Sequence, residues 1–256
     1  MCLIAFAWRR HADYPLVVAA NRDEFFDRPA LPARWWRHGT QELFAGRDLK
    51  AGGTWLGVGA NGRFAALTNV RDPAALRSDA PSRGTLVPDF IAGGASVDEA
   101  LDELAGTAER YNGFNLLLYD GRQLGLFESP AARGRVLAPG VHALSNADLE
   151  ADWPKQQRAA TGLGSVLDAL PSSEETFRLM HDDRPAPDEA LPATGVPRDW
   201  ERALSSLFIR APGYGTRCTT MLLFEPDGGA RFEERSWNAF GQETGAVTTR
   251  IGGGAR

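Results

Sequence analysis

The sequence is poor in the residues that usually announce chemistry. Its 256 residues contain two cysteines, Cys2 and Cys218, which give neither a framework of bridges nor a CxxC ligand pair. Such sparse cysteine suits a reducing compartment. The four histidines, His11, His38, His142 and His181, share no ligand spacing. HExxH, His-x-Glu with a downstream cysteine pair, GxSxG and the Walker loop are all missing, so the usual metal enzymes and serine hydrolases have no support. No metal and no cofactor is expected. Lysine is almost absent: Lys50 and Lys155 are the only two, and arginine carries nearly all the positive charge. No apolar run approaches the roughly 20 residues that span a bilayer. The apolar stretch Cys2–Trp8 has no basic n-region before it, runs straight into Arg9, Arg10 and His11, and is too short for a signal sequence with a cleavage site. The expectation is a soluble cytoplasmic protein without a transmembrane segment. A net charge of −5 and the lack of a basic stripe argue against a nucleic-acid partner.

What is present is ample apolar residue, 43% of the chain, enough to bury a full core unaided. Apolar runs at Cys2–Trp8 and Leu16–Ala20 read as a strand pair across Arg9–Pro15. The proline-bearing stretch Asn21–His38 reads as a loop. Short strands follow at Phe44–Arg47, Thr54–Val58 and Phe64–Thr68. Gly57 to Gly62 fits GxGxxG, but a dinucleotide loop must open a helix, whereas Asn61-Gly62 between apolar runs signals a hairpin. Two helices come next, the second with Ser96 and Glu99 as a capping box. Strands at Phe114–Tyr119, Gln123–Phe127 and Val141–Ser145 precede a second helical pair, Trp153–Leu170 and Ser172–His181. After the proline-rich loop Arg184–Pro197, a short helix at Trp200–Leu204 leads into strands Thr219–Phe224 and Ala230–Trp237. Strands in sequence with helices inserted in blocks favour an α+β layered fold. One domain is expected over residues 1–240, with a frayed, flexible tail at 241–256.

Few residues offer chemistry. Cys2 follows Met1, and loss of that methionine would leave one residue with both a thiol and a free α-amine. Their ordinary pKa values, roughly 8.5 and roughly 7.7–8.0, suit a nucleophile and its base. The alternative is a small buried hydrophobe at the start of a strand. Asn21-Arg22-Asp23-Glu24 ends the second strand, where a guanidinium would lower a thiol pKa and a carboxylate could hold an ammonium. A solvated, self-paired loop is the competing reading. Asn69 and Asn146 each end a strand-like run, placed either to donate to an oxyanion or simply to start a loop. Arg217 could bind an anionic substrate group or pair with a surface acid. Cys218 reads as packing.

Together these motifs resemble the NRDE-domain family, the transport and Golgi organisation protein 2 family. The resemblance rests on the opening Met-Cys and on Ala19-Ala20-Asn21-Arg22-Asp23-Glu24-Phe25. It extends through Ala45-Gly46-Arg47-Asp48, Gly52-Gly53-Thr54-Trp55-Leu56-Gly57 and Leu67-Thr68-Asn69-Val70-Arg71. Leu144-Ser145-Asn146 and Gly213-Tyr214-Gly215-Thr216-Arg217 complete it. More distantly, the layout is similar to choloylglycine hydrolases and penicillin V acylases. That implies a four-layer αββα sandwich of the N-terminal-nucleophile hydrolase kind. It further implies Cys2 as nucleophile, Arg22 with Asp23 or Glu24 tuning it, and Asn69 and Asn146 serving the oxyanion and the amine. Asn21 and Arg217 are the expected substrate-binding residues. The acylases place Asp three residues after the Arg, whereas Asp23 and Glu24 follow Arg22 directly, so either acid could take the role. For function, the resemblance implies a cysteine hydrolase of a small linear amide or thioester. Its alternative is a non-catalytic haem or acyl-lipid/acyl-CoA binding and trafficking protein. If catalysis holds, Cys2, Arg22, Asn69 and Asn146 should line one pocket with Arg217 at its wall. The 21–38 and 184–197 loops should cover it. Nothing in the sequence specifies an oligomeric state.

Overall fold

Alternate residues of the first strand belong to different cores. In the computed structural model, which describes residues 2–253, β1 (Cys2–Trp8) sends Ile4, Phe6 and Trp8 to one face and Leu3, Ala5 and Ala7 to the other. β2 (Leu16–Phe25) returns antiparallel, with Ile4 opposite Ala20 and Cys2 opposite Arg22. Strands covered on both faces read as unbroken apolar runs, as both do in the sequence. The chain continues through β3 (Ala30–His38), β4 (Gln41–Asp48), β5 (Leu56–Gly59) and β6 (Phe64–Asn69). Next come α1 (Leu86–Ala92), α2 (Val97–Thr107), β7 (Phe114–Tyr119), β8 (Leu124–Glu128), β9 (Arg133–Val136) and β10 (Gly140–Leu144). Then follow α3 (Pro154–Val166), α4 (Glu174–Met180) and α5 (Arg198–Leu204). The last strands are β11 (Arg210–Ala211), β12 (Tyr214–Phe224), β13 (Ala230–Trp237) and β14 (Glu243–Ile251).

Two antiparallel sheets result. One runs β10-β1-β2-β12-β13-β14, with β11 added to β12, and the other runs β3 to β9 in chain order. Their facing sides bury a shared aromatic core in which Phe64 meets Phe224 and Phe44 meets Phe232, ring centroids 5.6 and 4.9 Å apart. Helices α1 and α2 cover the outer face of the second sheet, packing Val87, Ile91 and Leu101 against Leu116 and Leu118. Helices α3 and α4 cover the first, packing Leu163, Phe177 and Met180 against Leu3 and Val17. The fold is therefore α+β, a four-layer αββα sandwich. Among the described residues, no helix is long and apolar enough to cross a membrane.

Local signals explain most boundaries. Ser96 accepts from the Glu99 N–H while Glu99 accepts from the Ser96 N–H, the reciprocal cap that starts α2. Gly62, at φ +78°, donates to Gly59 and turns β5 into β6, so the GxGxxG match is a hairpin. Two expectations are corrected. The stretch 21–38 is strand rather than loop: β2 runs on to Phe25, and β3 is an edge strand with an irregularity between Leu31 and Arg34. Pro32 falls in that irregularity, where no ladder N–H is required. The expected frayed tail is likewise a strand, since β14 pairs with β13 and seats Ile251 in the inter-sheet core. Its β-branched residues Val247, Thr248, Thr249 and Ile251 outweigh the nearby glycines. The rest of the expected tail, residues 254–256, lies outside the described residues.

Phe6 is fully buried between the sheets. Phe6→Ala should cost about 3–5 kcal/mol in chemical denaturation; a loss under about 1 kcal/mol would contradict this packing.

Candidate functional site

The strand registry brings three side chains into one rung. Cys2 pairs with Arg22 across β1–β2, and Cys218 pairs with Arg22 across β2–β12. The twofold alternation puts all three on the face that carries Ile4, Ala20 and Leu222, toward the opposing sheet. Arg22 is 5% exposed. Its guanidinium stacks on Trp55 at 4.1 Å from the ring centroid and lies 3.5 Å from the Asp48 carboxylate. Asp48 also accepts from Arg28 Nε at 2.6 Å and from the backbone N–H groups of Lys50 and Ala51. Burial opposes its charge, but Arg28 and the Ala51 N–H outweigh this and hold its carboxyl below the ordinary range.

A cavity of about 500 Å³ opens beside this rung. Cys2, Arg22, Asp23 and Glu24 form one wall, the 48–55 connection and Asn69 another, and the segment 77–84 a third. Two glycines of the sequence motifs make that geometry possible. A Cβ on Gly46 would collide with the Trp55 ring, and one on Gly53 would collide with the backbone of Gly84. The Thr54 N–H donates to Gly84 O at 3.0 Å, fixing the third wall to the second.

Charges at and beneath the floor oppose one another. Asp23 is fully buried and accepts from Thr216 Oγ1 at 2.7 Å. Burial raises its pKa, while Lys155, the Thr216 hydroxyl and Arg71 pull it down. Lys155 is buried as well, with Nζ donating to Leu204 O at 3.1 Å. Burial draws it down to about 8 against the attraction of Asp23. Arg71 is tied to Glu201 of α5 at 2.7 Å. The Cys2 thiol is raised, chiefly by burial, then by Asp23, with Arg22 opposing. Burial raises Cys218 well above the ordinary thiol range. Neither thiol is a ready thiolate, so attack by Cys2 would require a base.

The expected residues divide into groups. Cys2, Arg22, Asp23, Glu24 and Asn69 line the cavity together. Asn146 is fully buried outside the lining, and its Nδ2 donates to Asn69 O at 2.8 Å. Asn21 points to the helical side: Nδ2 donates to Met180 O and Leu207 O, and Oδ1 accepts from Thr219. Arg217 lines a neighbouring cleft that shares Arg22 and Trp55, where Nη1 donates to Phe25 O and Arg28 O. The 184–197 segment does not cover the cavity, because Glu201 draws it toward Arg71 by accepting from Thr194. Segment 77–84 occupies that position instead. The sequence reading missed Lys155, Arg71, Asp48 and Trp55. The rarity of lysine was the available signal for Lys155, and the motif blocks already contained the other three. Met1, whose removal the N-terminal chemistry requires, lies outside the described residues. Among the described residues, Glu128, Asp148 and Glu150 are close enough to share a cation. Arg133 and Arg135 already pair with two of them.

The site is thus a charged cavity in an αββα sandwich, faced by a cysteine at the start of a central strand. The family model for Transport and Golgi organisation 2 matches residues 1–239. The chain is 36% identical to the Bos taurus Transport and Golgi organization protein 2 homolog, covering 92% of this chain and 93% of that protein. It is 34% identical to the Homo sapiens homolog over the same shares. Among solved structures, it is similar to the C2A mutant of conjugated bile acid hydrolase from Clostridium perfringens. That likeness has TM-score 0.49 and 10% identity, covering 96% of this chain and 92% of that one. A Caenorhabditis elegans N-acylethanolamine-hydrolyzing acid amidase ortholog has TM-score 0.49 and 12% identity, at 97% and 100% coverage. The chain belongs to the Transport and Golgi organisation 2 family.

Lys155 gives a sign-defined pH test. Its folded pKa of about 8 lies below the ordinary 10.5, so the unfolded chain holds its proton more tightly in that window. Stability contributed through Lys155 should therefore rise as pH goes from about 8 toward 10.5. Thermal melts of wild type and Lys155→Met should differ by an increment that grows in this window. A difference flat with pH would mean the ammonium is not desolvated.

Proposed function

We propose that the protein is an N-terminal cysteine hydrolase that cleaves a small linear amide or thioester through Cys2. The observation that carries this reading is the convergence of Cys2, Arg22, Asp23 and Asn69 on one cavity. After loss of Met1, the α-amine of Cys2 takes the thiol proton, and the sulfur attacks the substrate carbonyl. The carbonyl π electrons move to oxygen, and the Asn69 amide is the candidate donor to that oxyanion. Asn146, bonded to the Asn69 carbonyl, is then a positioning residue. As the oxyanion collapses, the carbon–nitrogen or carbon–sulfur bond breaks. The leaving amine or thiolate takes the proton from the α-ammonium. Water, deprotonated by the same amine, then hydrolyses the Cys2 thioester and releases the acid, restoring the thiol. Asp23 is the candidate to balance the charge of the α-ammonium.

The polar, charged lining favours this reading over a haem carrier, since none of the four histidines lines the cavity. Two free cysteines suit a cytoplasmic location.

Intact-mass measurement of the protein from cells should show Met1 removed; full retention would leave no base and contradict the mechanism. Assays of N-acyl amides, bile-salt conjugates and acyl-CoAs should find a substrate. Cys2→Ala should slow its turnover by at least about a thousandfold. Turnover indifferent to that substitution, or tight stoichiometric binding of haem or acyl-CoA without turnover, would overturn the hydrolase reading.

A further inference from the structure

The cavity carries positive charge that its own carboxylates do not match. Asp48 and Glu24 are engaged by Arg28 at 2.6 and 3.7 Å, and Asp48 also by Arg22. Asp23, also in the lining, accepts from Thr216 and faces Lys155. The remaining cations of the lining are Lys50, Arg77 and Arg83, and among the described residues none of them forms an ion pair with a carboxylate. Arg77 Nη2 donates to Glu109 O and Tyr111 O at 2.8 and 2.9 Å, and Arg83 Nη1 donates to Gly113 O at 2.8 Å. Neutral carbonyls fix a guanidinium in place without cancelling its charge. Burial works against the charge on Arg83, while Cys2 and Glu24 favour it.

Composition does not account for this concentration. The whole chain is at −5, and one of its two lysines stands at this rim. Like charges gathered in a partly enclosed space raise one another's energy, and an anion bound among them relieves that cost.

We propose that Lys50, Arg77 and Arg83 form an anion subsite that selects substrates carrying an acidic group in the same molecule as the scissile carbonyl. Carboxylate, sulfonate and phosphate share the required chemistry. The inference rests on the hydrolase reading for its substrate, but binding tests it separately. Arg77 and Arg83 also fasten segment 77–84 to residues 109–113, so a purely structural role is the competing account. Lys50 is exposed and makes no such contact through its side chain among the interactions described.

The test uses Cys2→Ala protein and calorimetry with four octanoyl amides. N-octanoylglycine, N-octanoyltaurine and N-octanoyl-O-phosphoethanolamine carry the three acids, and N-octanoylethanolamine is the neutral control. At low salt the anionic amides should bind at least about tenfold tighter than the control, an advantage that shrinks as salt is added. Adding Lys50→Glu should cut that advantage at least about threefold and leave the neutral amide unchanged. Arg77→Gln should act in the same sense. The tightest acid identifies the substrate class. Equal binding of charged and neutral amides, no binding of any anion, or equal loss for both in the variants would overturn the subsite. Anion preference with no wild-type turnover would retain the subsite and discard the hydrolase. Turnover of the neutral amide as fast as the charged ones would do the reverse.

Discussion

The stacking of Arg22 on Trp55, with Asp48 beside it, joins the two sheets at the end where β1 begins. Arg22 comes from the centre of one sheet, Asp48 from the end of β4 in the other, and Trp55 from the connection that follows β4. A guanidinium with 5% exposure must be stacked and paired, because an uncompensated buried charge is costly. The rest of the site depends on that requirement. Gly46 is bare so that Trp55 can lie flat, and Gly53 is bare so that segment 77–84 can close the cavity. Cys2 sits across the ladder from Arg22 because the β1–β2 registry leaves it nowhere else.

Much of this layout is legible in the sequence. β1, β2 and the Asn61-Gly62 hairpin follow from apolar runs and turn chemistry, and the Ser96–Glu99 cap is visible directly. The convergence of Cys2, Arg22 and Asn69 is not visible in local pattern, because their proximity is created by sheet pairing. It came from the motif resemblance. β3 was obscured by prolines that only an edge strand tolerates, and β14 by glycines flanking its β-branched core. Asn21 shows the limit of reasoning by neighbourhood: it adjoins Arg22 in sequence, yet the alternation turns its side chain to the helices. Lys155 was hidden for a similar reason, since it sits on α3 and reaches the floor of the site only because α3 packs against β1.

The electrostatics fit chemistry that does not begin from a standing thiolate. Burial raises the Cys2 thiol, and the opposed charges of Asp23, Lys155 and Arg71 hold a polar floor inside an apolar core. On the hydrolase reading, Asp23 is the floor group that would offset an α-ammonium left at Cys2 by loss of Met1. The cationic rim is suited to a negative group that arrives with substrate.

The central claim is that Cys2, rather than Cys218 on the other side of Arg22, forms the covalent bond to substrate. The most direct measurement is brief exposure to an activated octanoyl thioester, acid quenching, and peptide mass mapping. The account predicts one octanoyl group on Cys2, in chains that begin at Cys2, and none on Cys218. Equal labelling of the two cysteines, or labelling of Cys218 with Cys2 left bare, would contradict it.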